Sequence, residues 1–341
     1  MKPTATAMKT PNGRYSFKHG VALFIAGLMI AGFPPQLARA SPNLDGLRKQ
    51  LETITRGFHG KIGISLHHLK TNDRMDVRGD EPFPTGSTIK VAMLCVVMEK
   101  VENGELSYYQ KFSLTQDDVN AGTGFVRNYQ IGKQLTLKEL LHLMITASDN
   151  TATRMVLKAI GSDAAINDWL KRNGLNRTRL NVPYPISDAV LKDEAARHKL
   201  LEQYDLWGMG VSTPNEMRLL MEMISEGKAG SPAACDEMHR ILNHQYFDDG
   251  IAGQIPPSVV VASKSGVEKR SRSDIAIVHA PSGTYVLAIY TKEAEDFRIT
   301  RDNEQDTAIR AIARAVWQYY QPESKWSPPA GAGKFSTGPD W

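Results

Sequence analysis

Val259-Val260-Val261-Ala262-Ser263-Lys264-Ser265-Gly266 is a β-branched run that stops at a lysine, and it is the first of three such runs near the end of the chain. Ile275-Ala276-Ile277-Val278 and Tyr285-Val286-Leu287-Ala288-Ile289-Tyr290 follow it at hairpin spacing. β-Branched and aromatic residues at this density predict strands. The matching pattern lies some two hundred residues earlier, where Lys61-Ile62-Gly63-Ile64-Ser65-Leu66 alternates as a strand and Asn72-Asp73 marks a turn into Arg74 to Val77. Between the two groups the periodicity is helical, at 87–102, 136–147, 150–160, 163–173, 214–226 and 232–243. An amphipathic helix over 44–57, with Leu44, Leu47, Leu51 and Ile54 on one stripe, precedes the first strand, and a last helix spans about 303–320. This order predicts an α+β fold in which both ends of the chain build one antiparallel sheet, with an all-α part at about 87–245 between them. No internal repeat is found. The tail, Pro322 to Trp341, is rich in Pro, Gly and Ser and is expected to be disordered.

A chain of 341 residues with 41% hydrophobic and 23% charged residues is ordinary for a globular protein and long enough to bury a core. Its formal charge of +4 comes from the first 40 residues, which hold Lys2, Lys9, Arg14, Lys18 and Arg39 and no acid. Taking those five from the 41 basic residues leaves 36 against 37 acidic ones, so no basic footprint for nucleic acid remains. The same segment reads as a secretory signal. Basic residues up to Lys18 and His19 precede the apolar run Val21 to Phe33, and Ala38-Arg39-Ala40 is a small-x-small cleavage site before Ser41. The apolar run is too short to span a bilayer comfortably. The expectation is therefore a signal over 1–40, a mature domain over 41–321, export to the periplasm or the medium, and no stable membrane span after cleavage.

Export permits disulfides, but the chain has only Cys95 and Cys235. Cys95 sits within Val91 to Met98, an apolar helical run where a thiol is usually core, so two free thiols are expected. No metal-ligand spacing occurs, and His67-His68 reads as structural or exposed. Neither a cofactor nor a metal is expected.

Three short motifs carry the chemistry. In Ser87-Thr88-Ile89-Lys90, a helix starting at Ser87 puts the hydroxyl and the amine one turn apart on one face, at the positive end of the helix dipole. A serine oxygen needs a base to become a nucleophile, and a lysine serves if burial or a nearby cation lowers its pKa. The pattern alone is weak, because Ser225-Glu226-Gly227-Lys228 matches it too and reads as a helix end and turn. Ser148-Asp149-Asn150 opens a helix and reads either as a cap or as a hydroxyl and an amide for a substrate. Lys264-Ser265-Gly266 closes a strand whose edge could pair with an extended acyl chain, and its glycine lets a ligand approach the backbone.

Taken together, the three motifs resemble the Ser-x-x-Lys, Ser-Asp-Asn and Lys-Ser/Thr-Gly set of class A β-lactamases and penicillin-binding proteins. The 61-residue interval from Ser87 to Ser148 is similar to that of class A enzymes, as is the run Leu137 to Ala147 before the second motif. The resemblance covers about 44–320. It implies a five-stranded antiparallel sheet flanked by helices, an all-α subdomain, and a site between them. It also implies roles: Ser87 is acylated, Lys90 is the base, and Ser148 passes the proton to the leaving nitrogen. Asn150 orients a substrate amide, Lys264 and Ser265 hold the substrate carboxylate beside Gly266, and the amides of Ser87 and Val267 form the oxyanion hole. Arg272 resembles the carboxylate-binding arginine, with Arg270 as its competitor.

The resemblance breaks on the loop after Thr178-Arg179-Leu180-Asn181. Class A enzymes carry a water-activating glutamate there, and its place is taken by Tyr184, a poor base near neutral pH. The loop over 185–213 is longer than usual, and its Asp188, Glu194, Glu202 and Asp205 read as exposed helix charges. Phe125 reads either as an aromatic wall beside the substrate or as packing. The expected activity is a monomeric serine hydrolase that opens a β-lactam amide through acyl-Ser87, with slow deacylation. The alternatives are a penicillin-binding peptidase or esterase acting on another small acyl compound, and a non-hydrolytic β-lactam binder or sensor.

Overall fold

The computed structural model describes residues 44–183 and 192–332. Five strands form one antiparallel sheet: β1 (Lys61–His68), β2 (Asp73–Val77), β8 (Val261–Glu268), β9 (Ser271–Ala280) and β10 (Gly283–Lys292), in the order β2-β1-β10-β9-β8. The two chain ends do pair, with Ile64 opposite Ile289 and Leu66 opposite Leu287. Both faces of this sheet are covered. Along β10, Tyr285, Leu287 and Ile289 enter one apolar cluster with helix α1 (Leu44–Arg56) and the last helix, α9 (Glu304–Tyr320). The alternate residues Val286, Ala288 and Tyr290 enter a second cluster with the helices of the central insert. A strand buried on both faces cannot alternate with polar residues, which accounts for the unbroken apolar runs.

The insert contains α2 (Lys90–Glu102), α3 (Leu137–Thr146), α4 (Asn150–Ile160), α5 (Asp163–Arg172), α6 (Glu194–Trp207), α7 (Pro214–Ser225) and α8 (Pro232–Leu242). Helix α2 is its axis: every residue from Lys90 to Met98 is buried, as an all-round apolar helix requires. The insert is not purely helical, since β4 (Lys111–Ser113) pairs with β5 (Gln134–Thr136). In addition, β3 (Phe83–Pro84) and β6 (Arg179–Leu180) flank β7 (Gly210–Ser212). Ser225 ends α7 and is followed by Gly227 at φ +71°, so the second Ser-x-x-Lys match is a helix end, as expected.

Cys95 and Cys235 are free and buried, and burial raises both thiols above their ordinary range. His67 is structural and not exposed: Nδ1 lies 2.6 Å from Glu222 Oε1 and Nε2 lies 2.9 Å from Asn72 Oδ1. His68 is also buried, against the Tyr320 ring. Among the described residues no helix is long and apolar enough to cross a membrane. The expected signal over 1–40, together with Tyr184 and Asp188, lies outside the described residues. Of the tail, 322–332 is described and carries no helix or strand, although Ser324 Oγ accepts from the Trp317 indole.

Candidate active site

The first motif does not open as an α-helix. Gly86–Ile89 forms a 3₁₀ turn, and α2 begins at Lys90. The Thr85 amide donates to Gly210 O at 2.8 Å, so β7 holds the chain as it enters the turn. Gly86 sits at φ +49°, and a methyl group built there would lie 2.6 Å from the Val267 nitrogen. The turn bearing Ser87 therefore presses directly on β8. Gly266 completes this contact: a Cβ there would lie 2.3 Å from Thr85 O and 2.9 Å from the Ser87 nitrogen. Its glycine is thus required by the chain's own close approach, before any ligand is considered. The Ser87 and Val267 amides are brought side by side, as an oxyanion hole requires.

Behind Ser87 lie two buried lysines. Lys90 Nζ donates to Ser148 O (2.7 Å), Ser148 Oγ (3.2 Å) and Asn150 Oδ1 (3.0 Å). Lys264 Nζ donates to Ser148 Oγ (3.1 Å) and Ser265 O (2.9 Å). Both side chains are fully buried. Burial, and then the charge of Lys264, hold the Lys90 amine well below the usual lysine range. Burial lowers Lys264 to about 7. Ser148 takes its bridging place at φ +52°, a conformation rare outside glycine. Among the described residues, the Lys90 amine bonds Ser148 and Asn150 rather than the Ser87 hydroxyl, which is one turn away.

Asp149 is a cap, and also more than a cap. Its Oδ1 accepts from Ala152 N (2.8 Å) at the start of α4, while Oδ2 accepts from the amides of Phe125 (2.6 Å) and Val126 (2.9 Å). The carboxylate thereby ties the 120–128 loop to the second motif. Asn150 adds its own ties, donating from Nδ2 to Ala121 O (3.1 Å) and from its amide to Thr123 O (3.0 Å). Phe125 is exposed and packs edge-on against Tyr246, so it favours the packing reading; Thr123 and Phe247 line the cavity instead.

The third motif lies inside a strand, not at its end, because β8 runs on to Glu268 opposite Ser271. Ser87, Ser148, Asn150, Ser265, Gly266 and Val267 all line one cavity of about 200 Å³. Arg272 lines it too, with Nη1 donating to Glu268 O (2.7 Å). Arg270 turns away, donating to Ala294 O (3.1 Å) and stacking over Phe297. Glu194, Glu202 and Asp205 are exposed on α6, which buries no residue.

Sequence reasoning missed four carboxyls that line this cavity, Asp249, Glu268, Asp274 and Asp306. Asp274 is opposite Ser265 in the ladder and accepts from Ile251 N at 2.7 Å. Burial raises it to about 7. Glu268 accepts from Met209 N at 3.2 Å, and burial raises its carboxyl as well. The signal that would have found Glu268 is the period of two, which puts Lys264, Gly266 and Glu268 on one face of β8.

Residues 46–320 match the model described as the beta-lactamase enzyme family. Beta-lactamase VEB-1 of Pseudomonas aeruginosa is 23% identical over 289 residues, 81% of this chain and 91% of its own. Beta-lactamase CARB-4 of the same organism is 23% identical over 309 residues, 89% of this chain and 99% of its own. Among solved structures, a variant of the last common ancestor of Gram-negative class A beta-lactamases is 26% identical with a TM-score of 0.68, covering 82% of this chain and all (100%) of that one. A point mutant of PBP-A, solved as an acyl-enzyme complex with penicillin G, has a TM-score of 0.70 at 24% identity over 82% of this chain and 98% of that one.

Proposed function

The chain belongs to the beta-lactamase enzyme family and is a serine hydrolase of that kind, and we propose that it opens the β-lactam amide through an ester at Ser87. The observation that carries this assignment of roles is Ser148 Oγ held between the Lys90 and Lys264 amines, behind the turn that presents Ser87. Lys90, whose amine burial holds well below the usual lysine range, takes the Ser87 proton as Oγ attacks the lactam carbonyl carbon. The carbonyl oxygen gains charge against the Ser87 and Val267 amides. As the C–N bond breaks, the proton passes from Lys90 through the Ser148 hydroxyl to the leaving nitrogen. The substrate carboxylate is met by Ser265 and Arg272, which line the cavity, with the buried Lys264 amine behind Ser265. Asn150 offers its amide to the substrate side chain.

In this reading the catalytic domain spans 41–321, 1–40 is removed on export, and the enzyme works as a monomer in the periplasm or the medium. β-Lactam resistance and β-lactam breakdown follow from that location.

Mixing the purified mature protein with a chromogenic cephalosporin, while recording turnover and intact mass, tests the reading. Turnover that disappears in Ser87→Ala, with a transient adduct in the wild type, is the expected result. Neither adduct nor turnover in the wild type overturns it, and small esters and D-amino-acid peptides then become the substrates to try.

A further inference from the structure

Hydrolysis of an acyl-Ser87 ester needs a group that takes a proton from water as the water attacks. The exposed carboxylates of α6 do not line the cavity. We propose that Glu268 is the general base of deacylation, delivered to the site by strand β8 and locked there by the end of the long loop. The proposal rests on the acyl-Ser87 reading above.

Three observations carry it. First, Glu268 lines the same cavity as Ser87, Ser148 and Asn150. It is two residues beyond Gly266, so its Cα is about 7 Å further along the strand on the same face, a reach that a side chain and one water can close. Gly266 is the residue against which the Ser87 turn packs, at 2.9 Å from its virtual Cβ to the Ser87 nitrogen. Second, the carboxylate is cradled. Gly208 at φ +60° ends α6 directly against it, and a Cβ there would fall 2.1 Å from Glu268 Oε1. The next amide, that of Met209, donates to the same oxygen at 3.2 Å. Glycine at this position leaves room for the carboxylate to lie against the chain. Third, the charges suit the task. Burial raises the carboxyl and makes it a stronger base, while the Met209 amide and the nearby Arg272 favour its ionised form. Of the other carboxyls that line the cavity, Asp274 is on the opposite face of the ladder with Ser265, Asp249 is paired with Arg301 at 2.9 Å, and Asp306, on α9, accepts from Asn303.

The step balances simply. Water adds its oxygen to the ester carbonyl carbon and gives one proton to Glu268. The tetrahedral adduct then breaks its bond to Ser87 Oγ, which takes that proton back. The products are the ring-opened acid, the free hydroxyl and Glu268 as it began.

The test compares wild type, Glu268→Gln and Glu268→Asp by rapid mixing with a chromogenic cephalosporin and by intact mass. In Glu268→Gln the burst and the Ser87 adduct are expected to form at the wild-type rate, while release slows by roughly 100- to 10,000-fold. Glu268→Asp recovers part of the release rate. The wild-type release rate falls on acidification, at a pH above that of an ordinary glutamate, and this limb is absent in Glu268→Gln. Release at the wild-type rate in Glu268→Gln overturns the proposal and leaves the acyl-enzyme reading intact. Equal loss of acylation and release in both variants also overturns it, as does a wild-type adduct that never turns over. A wild type that forms no adduct removes the acyl-enzyme reading itself, and the proposal with it.

Discussion

Replacing Asp149 with asparagine keeps its shape and turns one of its two acceptor oxygens into a donor. The native carboxylate serves three amides: Ala152 at the start of α4 and Phe125 and Val126 in the 120–128 loop, the first and last of them buried. Asparagine can satisfy one side only. If its oxygen faces the loop, the α4 cap is lost at about 1 kcal/mol, and two charge-assisted bonds become neutral ones at a further cost of about 1 kcal/mol each. If its oxygen faces Ala152, two donors confront an NH₂ group, at about 1–3 kcal/mol each. The cheaper choice costs about 3 kcal/mol, which in a domain of this size lowers the unfolding midpoint by roughly 6–12 °C. The loop carries Thr123 into the cavity and receives the Asn150 amide, so acylation should slow in the same variant. Thermal unfolding followed by circular dichroism, together with the rate of adduct formation by intact mass, measures both effects. A midpoint within about 2 °C of wild type with unchanged acylation would refute the reasoning, because the loop would then be held by something other than this carboxylate.

Gly86→Ala places a methyl group 2.6 Å from the Val267 nitrogen and 2.9 Å from the Gly266 carbonyl carbon, backbone that cannot yield without moving β8 or Ser87. Acylation should fall by about 100-fold for an ångström of displacement, and a wild-type burst rate would show that the contact does not set the nucleophile's position. The second prediction concerns pH. Burial lowers Lys264 to about 7, so in the free enzyme its charge is present below that pH and is lost above it. An anionic β-lactam should therefore bind more weakly as pH rises past about 7, with KM climbing by up to about tenfold per unit. A KM that stays flat from about pH 6 to 9 would contradict it.

Much of this molecule is legible in its sequence, and the parts that are not share a cause. The β10 run is readable because both faces of the sheet are buried, so Tyr285 to Tyr290 is unbroken by polar residues other than its tyrosine hydroxyls. The three motifs are readable because each is local: a turn, a helix start, a strand. Reading fails where polar residues face a cavity instead of solvent. The apolar run of β8 stops at Ser263, yet the ladder continues through Lys264 to Glu268 opposite Ser271. The strand therefore seems to end five residues before it does, and Glu268 goes unnoticed. Helix α6 fails for the complementary reason, since a helix that buries nothing has no stripe to detect. The partners of Glu268 lie 59 residues away at Met209, a pairing that no local spacing encodes. Hydropathy thus reports the scaffold well and the site poorly, because the site is where ionisable groups are buried. A strand ending on a buried lysine is better read onward at a period of two, and here that reading leads from Lys264 to the carboxylate on which the fate of the Ser87 ester turns.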